Sequence, residues 1–366
     1  MDTLLTDLFK AYYDARRNKR NTPSQLRFEI NLESNLIELY HELRERRYRP
    51  SPSVCFIVQD SVKREVFASD FRDRIIHHLY YNYVMPFFDR QFIYDSYSCR
   101  KGKGTLLGIE RFQKHIRSVS HNYTHNAYVL KMDIQGYVMS INRKKLCDMV
   151  HEMTEKVKLP STIKGLIDYL SDIIILKDPL HGAIIKGSPE EWDDLPPSKC
   201  LRYSPEGVGL PIGDLTSQLY SNIFLNKLDR YICMTLGFKH YGRYVDDFYI
   251  VDDDKNRLLA AVPQIEKMLN TFGLKLHKRK TKLYSVKEPV VFLGAVVYPY
   301  YRHCSARTNR KFSRRKYSFM QLIKQDGYNI DSLCKILDVQ RCLSSMNSYY
   351  GYLRHFKTAI MRYSYR

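Results

Sequence analysis

Tyr241-Gly-Arg-Tyr-Val-Asp-Asp-Phe-Tyr-Ile-Val251 is the stretch on which the fold turns. Two runs of strand-forming residues, Tyr241 to Val245 and Phe248 to Val251, bracket an acid pair, Asp246 and Asp247. The pattern predicts a tight hairpin with both carboxylates at its tip. Adjacent like charges repel, and an acid pair between apolar strands is costly unless a cation sits there; a divalent metal is the usual solution. A solvated turn is the plain alternative for so short a string.

Outward from the hairpin, Ala127-Tyr-Val-Leu-Lys-Met-Asp133-Ile-Gln-Gly-Tyr137 is a second apolar run ending in a carboxylate. If this strand pairs beside the hairpin, Asp133, Asp246 and Asp247 meet at one sheet edge. Three carboxylates so placed can hold two Mg²⁺ about 4 Å apart, the arrangement for in-line phosphoryl transfer. Between the acids, Gly207-Val-Gly-Leu-Pro-Ile-Gly213-Asp-Leu-Thr-Ser217-Gln218 leads into a helix. Closely spaced glycines let backbone approach a ligand at a helix start, and an ordinary loop with a cap is the other reading. Helical spacing runs through Leu106, Ile109, Phe112 and Ile116, through Leu219, Ile223, Leu228 and Ile232 up to Gly237, and through Leu258, Val262, Ile265, Leu269 and Phe272 up to Gly273. Pro263 is expected to kink the last of these or to start its longer part. Val290 to Val297 reads as another strand. Together these predict an α+β domain with helices on one face of a small antiparallel sheet.

The chain has 366 residues and a formal charge of +20, with 44% hydrophobic residues, enough for a sizeable core. It has no run of about 18 apolar residues and no secretory leader pattern, so a cytoplasmic protein without a membrane partner is expected. The eight cysteines show no C-x-x-C pair, which suggests neither a zinc cluster nor a disulfide framework. The charge calls for an acidic partner, best supplied by nucleic acid. Residues 301–366 carry 14 Lys and Arg against 3 Asp, a net +11, and end in tyrosines interleaved with cations. That pattern suits a nucleic-acid clamp, and equally a solvated basic helix whose tyrosines pack inward. Six of the fourteen prolines fall between 179 and 211 with Glu190, Glu191, Asp193 and Asp194, so an exposed insertion is expected there.

The order Lys131-Met-Asp133, Gly209-Leu-Pro-Ile-Gly213 to Ser217-Gln218, Tyr244-Val-Asp-Asp247, Gly273-Leu-Lys-Leu-His-Lys-Arg-Lys280-Thr281 and Phe292-Leu-Gly294 resembles the sequential palm motifs of reverse transcriptases. Lys63-Arg64, Arg74 and Cys99-Arg-Lys-Gly-Lys-Gly-Thr105 resemble the fingers motifs. The resemblance covers roughly residues 55 to 300. Ile212 and Gln218 stand where most relatives have other residues and are similar to the reverse transcriptases of diversity-generating retroelements. Asn347-Ser-Tyr-Tyr-Gly-Tyr-Leu-Arg-His-Phe-Lys357 also resembles that branch.

The resemblance implies an RNA-directed DNA polymerase of bacterial, archaeal or phage origin. It implies copying of a template-repeat RNA into cDNA with errors at adenines, in company with a pentameric accessory variability protein. Mg²⁺ and deoxynucleoside triphosphates would be required. Asp133 and Asp246 would bridge the metals, with Asp247 supporting and Ile134 also at the metal site. Arg64, with Lys63 beside it, would meet the triphosphate. Lys280 would either protonate the departing pyrophosphate or make a plain phosphate contact. Ile212 beside Gly213, with Gln218, would govern fidelity, unless Ile212 simply packs under the helix start. Val138 stands where many reverse transcriptases carry an aromatic sugar gate, so either Tyr137 serves instead or discrimination is relaxed. Arg100, Lys101 and Lys103 would hold template backbone, and Arg354, Lys357 and Arg362 would belong to the clamp. Phe292, Leu293 and Gly294 would form either a primer-gripping turn or ordinary core strand.

The expected architecture is a right-hand polymerase fold. A basic helical extension (1–50), with Arg16, Arg17, Lys19 and Arg20 toward RNA or a partner, precedes fingers (51–127), palm (128–300) and a short basic thumb (301–366). A retron or group II intron-type enzyme is the nearest alternative, and a catalytically inactive RNA-binding scaffold the alternative from another class.

Overall fold

The strand after the acid pair is buried on both sides: Phe248 and Ile250 enter one core, Tyr249 and Val251 another. Its full apolar run follows from this double burial, since a half-exposed strand would alternate with polar residues. The computed structural model describes residues 3–17, 21–59, 63–325 and 337–356. Three helices, α1 (Thr3–Arg16), α2 (Pro23–Ile30) and α3 (Leu32–Arg44), lead into a hairpin of β1 (Val54–Gln59) and β2 (Lys63–Ala68). Helices α4 (Phe71–Phe88) and α5 (Thr105–Val119) precede β3 (Tyr128–Asp133), and α6 (Arg143–Glu155) and α7 (Ser161–Leu176) follow it. After the short β4 (Ile184–Lys186) come α8 (Leu215–Arg230), β5 (Tyr241–Tyr244), β6 (Asp247–Asp252), α9 (Lys255–Thr271) and β7 (Lys282–Ser285). The small strands β8 (Val290–Phe292), β9 (Ala295–Val297) and β10 (Arg302–Cys304) lead to α10 (Ala306–Gln325) and a last helix, Leu337–Leu353.

The central sheet is antiparallel in the order β5-β6-β3-β7. Helices α4, α6, α8 and α9 cover one face through Ile75, Leu146, Phe224 and Leu258. The other face, expected to be free of helices, is covered by α5 and the β8–β9 hairpin through Phe112 and Phe292, which meet Tyr249 with ring centroids 4.5 and 5.0 Å away. Val290 to Val297 is therefore two strands and not one. Leu293 and Gly294 take left-handed φ of 49° and 82° and reverse the chain. Helix α9 runs through Pro263, which neither starts nor ends it; Asp254 caps its first turn instead.

The proline-rich segment is largely exposed, yet it is tied to the rest of the fold. It adds β4 in parallel to β1, making a three-stranded sheet β2-β1-β4. It also buries Cys200 and Leu201 against Cys55 and Phe67. The buried carboxylate of Glu65 on β2 accepts from Trp192 Nε1 (2.9 Å), Leu201 N (2.7 Å) and Cys200 Sγ (3.3 Å), so one acid pins the segment down. Among the described tyrosines of the last helix, Tyr350 and Tyr352 turn toward the core. Tyr350 packs edge-on against Phe312 at 4.9 Å, and Tyr352 donates to the Leu293 carbonyl. Arg354 is exposed, while Lys357 and Arg362 lie outside the described residues, as do Lys19 and Arg20. Arg16 and Arg17 pair with Glu29 and Asp14. Among the described residues no helix is long and apolar enough to cross a membrane.

Candidate active site

Strand register assembles the acids. Asp133 at the end of β3 lies directly opposite Asp247 at the start of β6, and Ile134 N donates to the Asp246 carbonyl at 3.1 Å. Tyr244 pairs with Asp247, which leaves Val245 and Asp246 as a two-residue turn. Val245 takes φ of 56°, a conformation that costs a β-branched residue about 1–3 kcal/mol and persists only where the surroundings impose it.

Arg243 imposes it. Strand periodicity puts Arg243 on the same face as Tyr241, inside the core, where its side chain is fully buried. Its Nε and Nη2 donate to both oxygens of the equally buried Asp229 on α8, each at 2.7 Å. Its Nη1 donates to the Val245 carbonyl at 3.1 Å. The backbone of Arg243 is clasped as well: its N–H donates to the Asp95 carbonyl and its carbonyl accepts from Tyr97 N, both at 2.9 Å. Asp95 in turn takes two hydrogen bonds from Arg111 on α5, at 2.7 and 2.8 Å. Burial acts to raise the Asp95 carboxyl, but Arg111 and His115 overcome it and hold the group well below the usual carboxylate range.

The acids themselves are under-compensated. Lys280 Nζ reaches Asp133 Oδ2 at 2.8 Å, and Lys131 Nζ reaches Asp247 Oδ2 at 3.2 Å. The other oxygen of Asp247 is buried with no hydrogen-bond partner. Burial pushes the Asp247 carboxyl up to about 6, against the pull of Lys131 and with a further push from Asp133 and Asp246. Asp246 is also raised, by burial first and by the Asp133 charge second, while Lys280 and Arg64 oppose the shift. A concentration of oxygen donors with an orphaned buried carboxylate atom fits a hard divalent cation. Lys280 and Arg64 are thus brought to the acids. Lys63 begins the same strand as Arg64, half-buried.

Gly213 explains the glycine loop. A Cβ there would stand 2.2 Å from the Phe67 carbonyl oxygen, so the loop before α8 lies flush against β2. Ile212 packs beside Phe67 and Cys55, and its carbonyl accepts from Phe67 N at 2.8 Å, while Gln218 is exposed. The Tyr137 ring is buried and its hydroxyl donates to the Ser221 carbonyl at 2.6 Å, leaving half-buried Val138 as the side chain nearer the surface. The Arg100 guanidinium is taken by Asp89 Oδ1 (2.6 Å) and by the carbonyls of Ile93 and Ser96. Lys103 lies over the Tyr94 ring at 3.1 Å and donates to the Tyr94 carbonyl, whereas Lys101 is exposed. Phe292 is core, and Leu293 with Gly294 forms the turn beneath Tyr352. Sequence reading did not single out Arg243, Asp229 or Glu65; an arginine on the inward register of a strand was the available signal.

A carboxylate trio at the end of an antiparallel sheet, faced by a basic strand from a second sheet and backed by helices, is the palm arrangement of a right-hand polymerase fold. The chain belongs to the reverse transcriptase (RNA-dependent DNA polymerase) family, which it matches over residues 63–297. Its fold is similar to that of apo telomerase from Candida tropicalis, with TM-score 0.50 and 10% identity over 74% of this chain and 52% of that one. Telomerase from Candida albicans, solved with a TWJ fragment of telomeric RNA, gives TM-score 0.45 and 12% identity over 91% of this chain and 62% of that one. The chain thus spans about half to three fifths of the length of these telomerases. No curated protein sequence matches it.

Proposed function

We propose that the chain copies RNA into DNA at the Asp133–Asp246–Asp247 centre by two-metal phosphoryl transfer. The observation that carries this reading is the pairing of Asp133 with Asp247 across β3 and β6 beside an orphaned buried oxygen. The three acids would hold two Mg²⁺, which supply charge neutralisation for the attacking hydroxyl and the departing pyrophosphate. Lys280, now on Asp133, stands ready to exchange that partner for a phosphate oxygen, and Arg64 approaches from the fingers sheet. Residues 51–127, 128–300 and 301–366 serve as fingers, palm and thumb, with β4 lent to the fingers from within the palm. Exposed Lys101 and Arg354 are the available template contacts among those expected from sequence.

The finer reading is a diversity-generating retroelement enzyme, supported by Gly209-Leu-Pro-Ile-Gly213 and Ser217-Gln218. Its template would be a template-repeat RNA, its partner a pentameric accessory protein, and its setting a bacterial, archaeal or phage-encoded cytoplasmic system. An apolar Ile212 offers shape but no side-chain hydrogen bond to a nucleotide, which weakens geometric discrimination. Primer extension on RNA with Mg²⁺ tests the reading. Asp246→Ala should abolish synthesis; synthesis unaffected by the change refutes the site. Errors in the cDNA should concentrate opposite template adenines, and a spectrum flat across four bases would reject the retroelement branch while leaving the polymerase.

A further inference from the structure

Outside the acid centre, one group of metal-ligating side chains stands out among the described residues, on the pair of helices that follows β3. Cys147 and His151 lie one turn apart on α6, and Asp168 and Asp172 lie one turn apart on α7. An i, i+4 spacing sets each pair along one stripe of its helix, and the two helices pack together. Cys147 Sγ is 3.1 Å from Asp172 Oδ1, His151 Nε2 is 3.2 Å from the same oxygen, and Cys147 Sγ is 3.9 Å from His151 Nε2. Zinc bonds of ~2.0–2.3 Å in a tetrahedron place neighbouring ligand atoms about 3.3–3.8 Å apart. The three edges therefore outline one face of such a tetrahedron to within about 0.5 Å.

Asp168, one turn before Asp172 on α7, has a buried Oδ1 without a hydrogen-bond partner. We propose that Cys147, His151 and Asp172 form a binding site for a thiophilic divalent transition-metal ion such as Zn²⁺, with water completing the shell. The site would pin α6 to α7 and is independent of the polymerase reading. A thiolate and an imidazole select against Mg²⁺ and Ca²⁺, which prefer oxygen. Access is built in, since Cys147 forms the buried wall while His151 and Asp172 open to solvent. The Cys147 thiol donates its proton to Asp172 Oδ1. An incoming ion takes the place of that proton, which is released to solvent.

Cobalt reads the site without reference to activity. The chelator-treated full chain is titrated with Co²⁺ in excess Mg²⁺, so that the palm acids are saturated. A near-ultraviolet thiolate-to-cobalt band and the visible bands of a four-coordinate ion should appear at one equivalent and vanish on adding Zn²⁺. Cys147→Ser should lose the thiolate band. His151→Ala and Asp172→Asn should weaken Zn²⁺ binding by more than the ~10–100-fold typical of losing an outer-shell partner. Asp246→Ala should keep every band. Zn²⁺ should raise the melting temperature of the wild type and leave that of Cys147→Ser unchanged. Absence of the band from the wild type, or its persistence in Cys147→Ser, overturns the proposal. If Cys147→Ser does not fold, Zn²⁺ affinity unchanged in both His151→Ala and Asp172→Asn overturns it equally.

Discussion

The hairpins β5–β6 and β8–β9 reverse the chain by the same device and fix it by different ones. Each has two turn residues, with a branched apolar side chain in the left-handed region: Val245 at 56° in the first, Leu293 at 49° in the second. In each, a side chain donates to the carbonyl of that residue, Arg243 at 3.1 Å to Val245 and Tyr352 at 3.0 Å to Leu293. Arg243 belongs to the hairpin it braces and is locked to Asp229 in the core. Tyr352 arrives from the last helix, 59 residues along the chain. The acid-bearing turn is consequently set from within the palm, whereas the second turn takes its shape from an element that has to dock.

The largest effect expected from breaking this contrast is at Arg243. Arg243→Met leaves the Asp229 charge buried without a counter-ion, with only the Tyr241 hydroxyl at 2.6 Å to bond it, and should cost about 3–5 kcal/mol in denaturant unfolding. Arg243→Lys keeps the charge but cannot serve both Asp229 oxygens and the Val245 carbonyl together. It should lower kcat for single-nucleotide addition with the KM for nucleotide unchanged, and an unaltered kcat would show that the brace does not position the acids. Next in size, Tyr352→Phe should cost about 1 kcal/mol. It should shorten extension products while single-nucleotide addition keeps its rate; loss of that rate would erase the distinction between the turns. Val245→Gly relieves the left-handed strain but frees the backbone, so stability should be neutral or higher by up to about 1 kcal/mol. Activity should fall all the same, as measured by primer extension.

The smallest effect sharpens the picture of how β5 is clasped. Asp95, held below its ordinary range by Arg111 and His115, contributes stability that is complete above the unfolded-state value of about 4. As pH falls below that value the unfolded chain takes up the proton first, and the contribution drains away on approach to the folded-state value. Asp95→Asn should flatten the acid side of a melting-temperature profile below about pH 4. A profile with the wild-type slope would remove Asp95 from the clasp.

The acids and their strands were legible because the signal is local: apolar runs end on carboxylates, and β-register does the rest. The glycine at 213 was legible as a close approach, though not what it approaches, since Phe67 is far off in sequence. Charge misled in both directions. Arg100 sits among glycines and lysines like a phosphate contact, yet Asp89 and three carbonyl oxygens draw it inward. Arg243, in a strand of aromatics, is a buried structural cation whose partner lies on a helix 14 residues earlier. Cys147, His151 and Asp172 escaped a search for cysteine pairs because their spacing is helical on one side and tertiary on the other.

The strand β4 has a consequence for dissecting the molecule. Fingers built from residues 51–127 alone would lack it and would expose the unpaired edge of β1. They would also strand the Glu65 carboxylate without Trp192, Cys200 and Leu201. Such a fragment would offer its bare edge to other copies and precipitate as intermolecular ribbons. Cutting this protein at its apparent sequence borders would therefore produce an aggregate, and a soluble excised module would have to carry the 184–201 segment grafted back on.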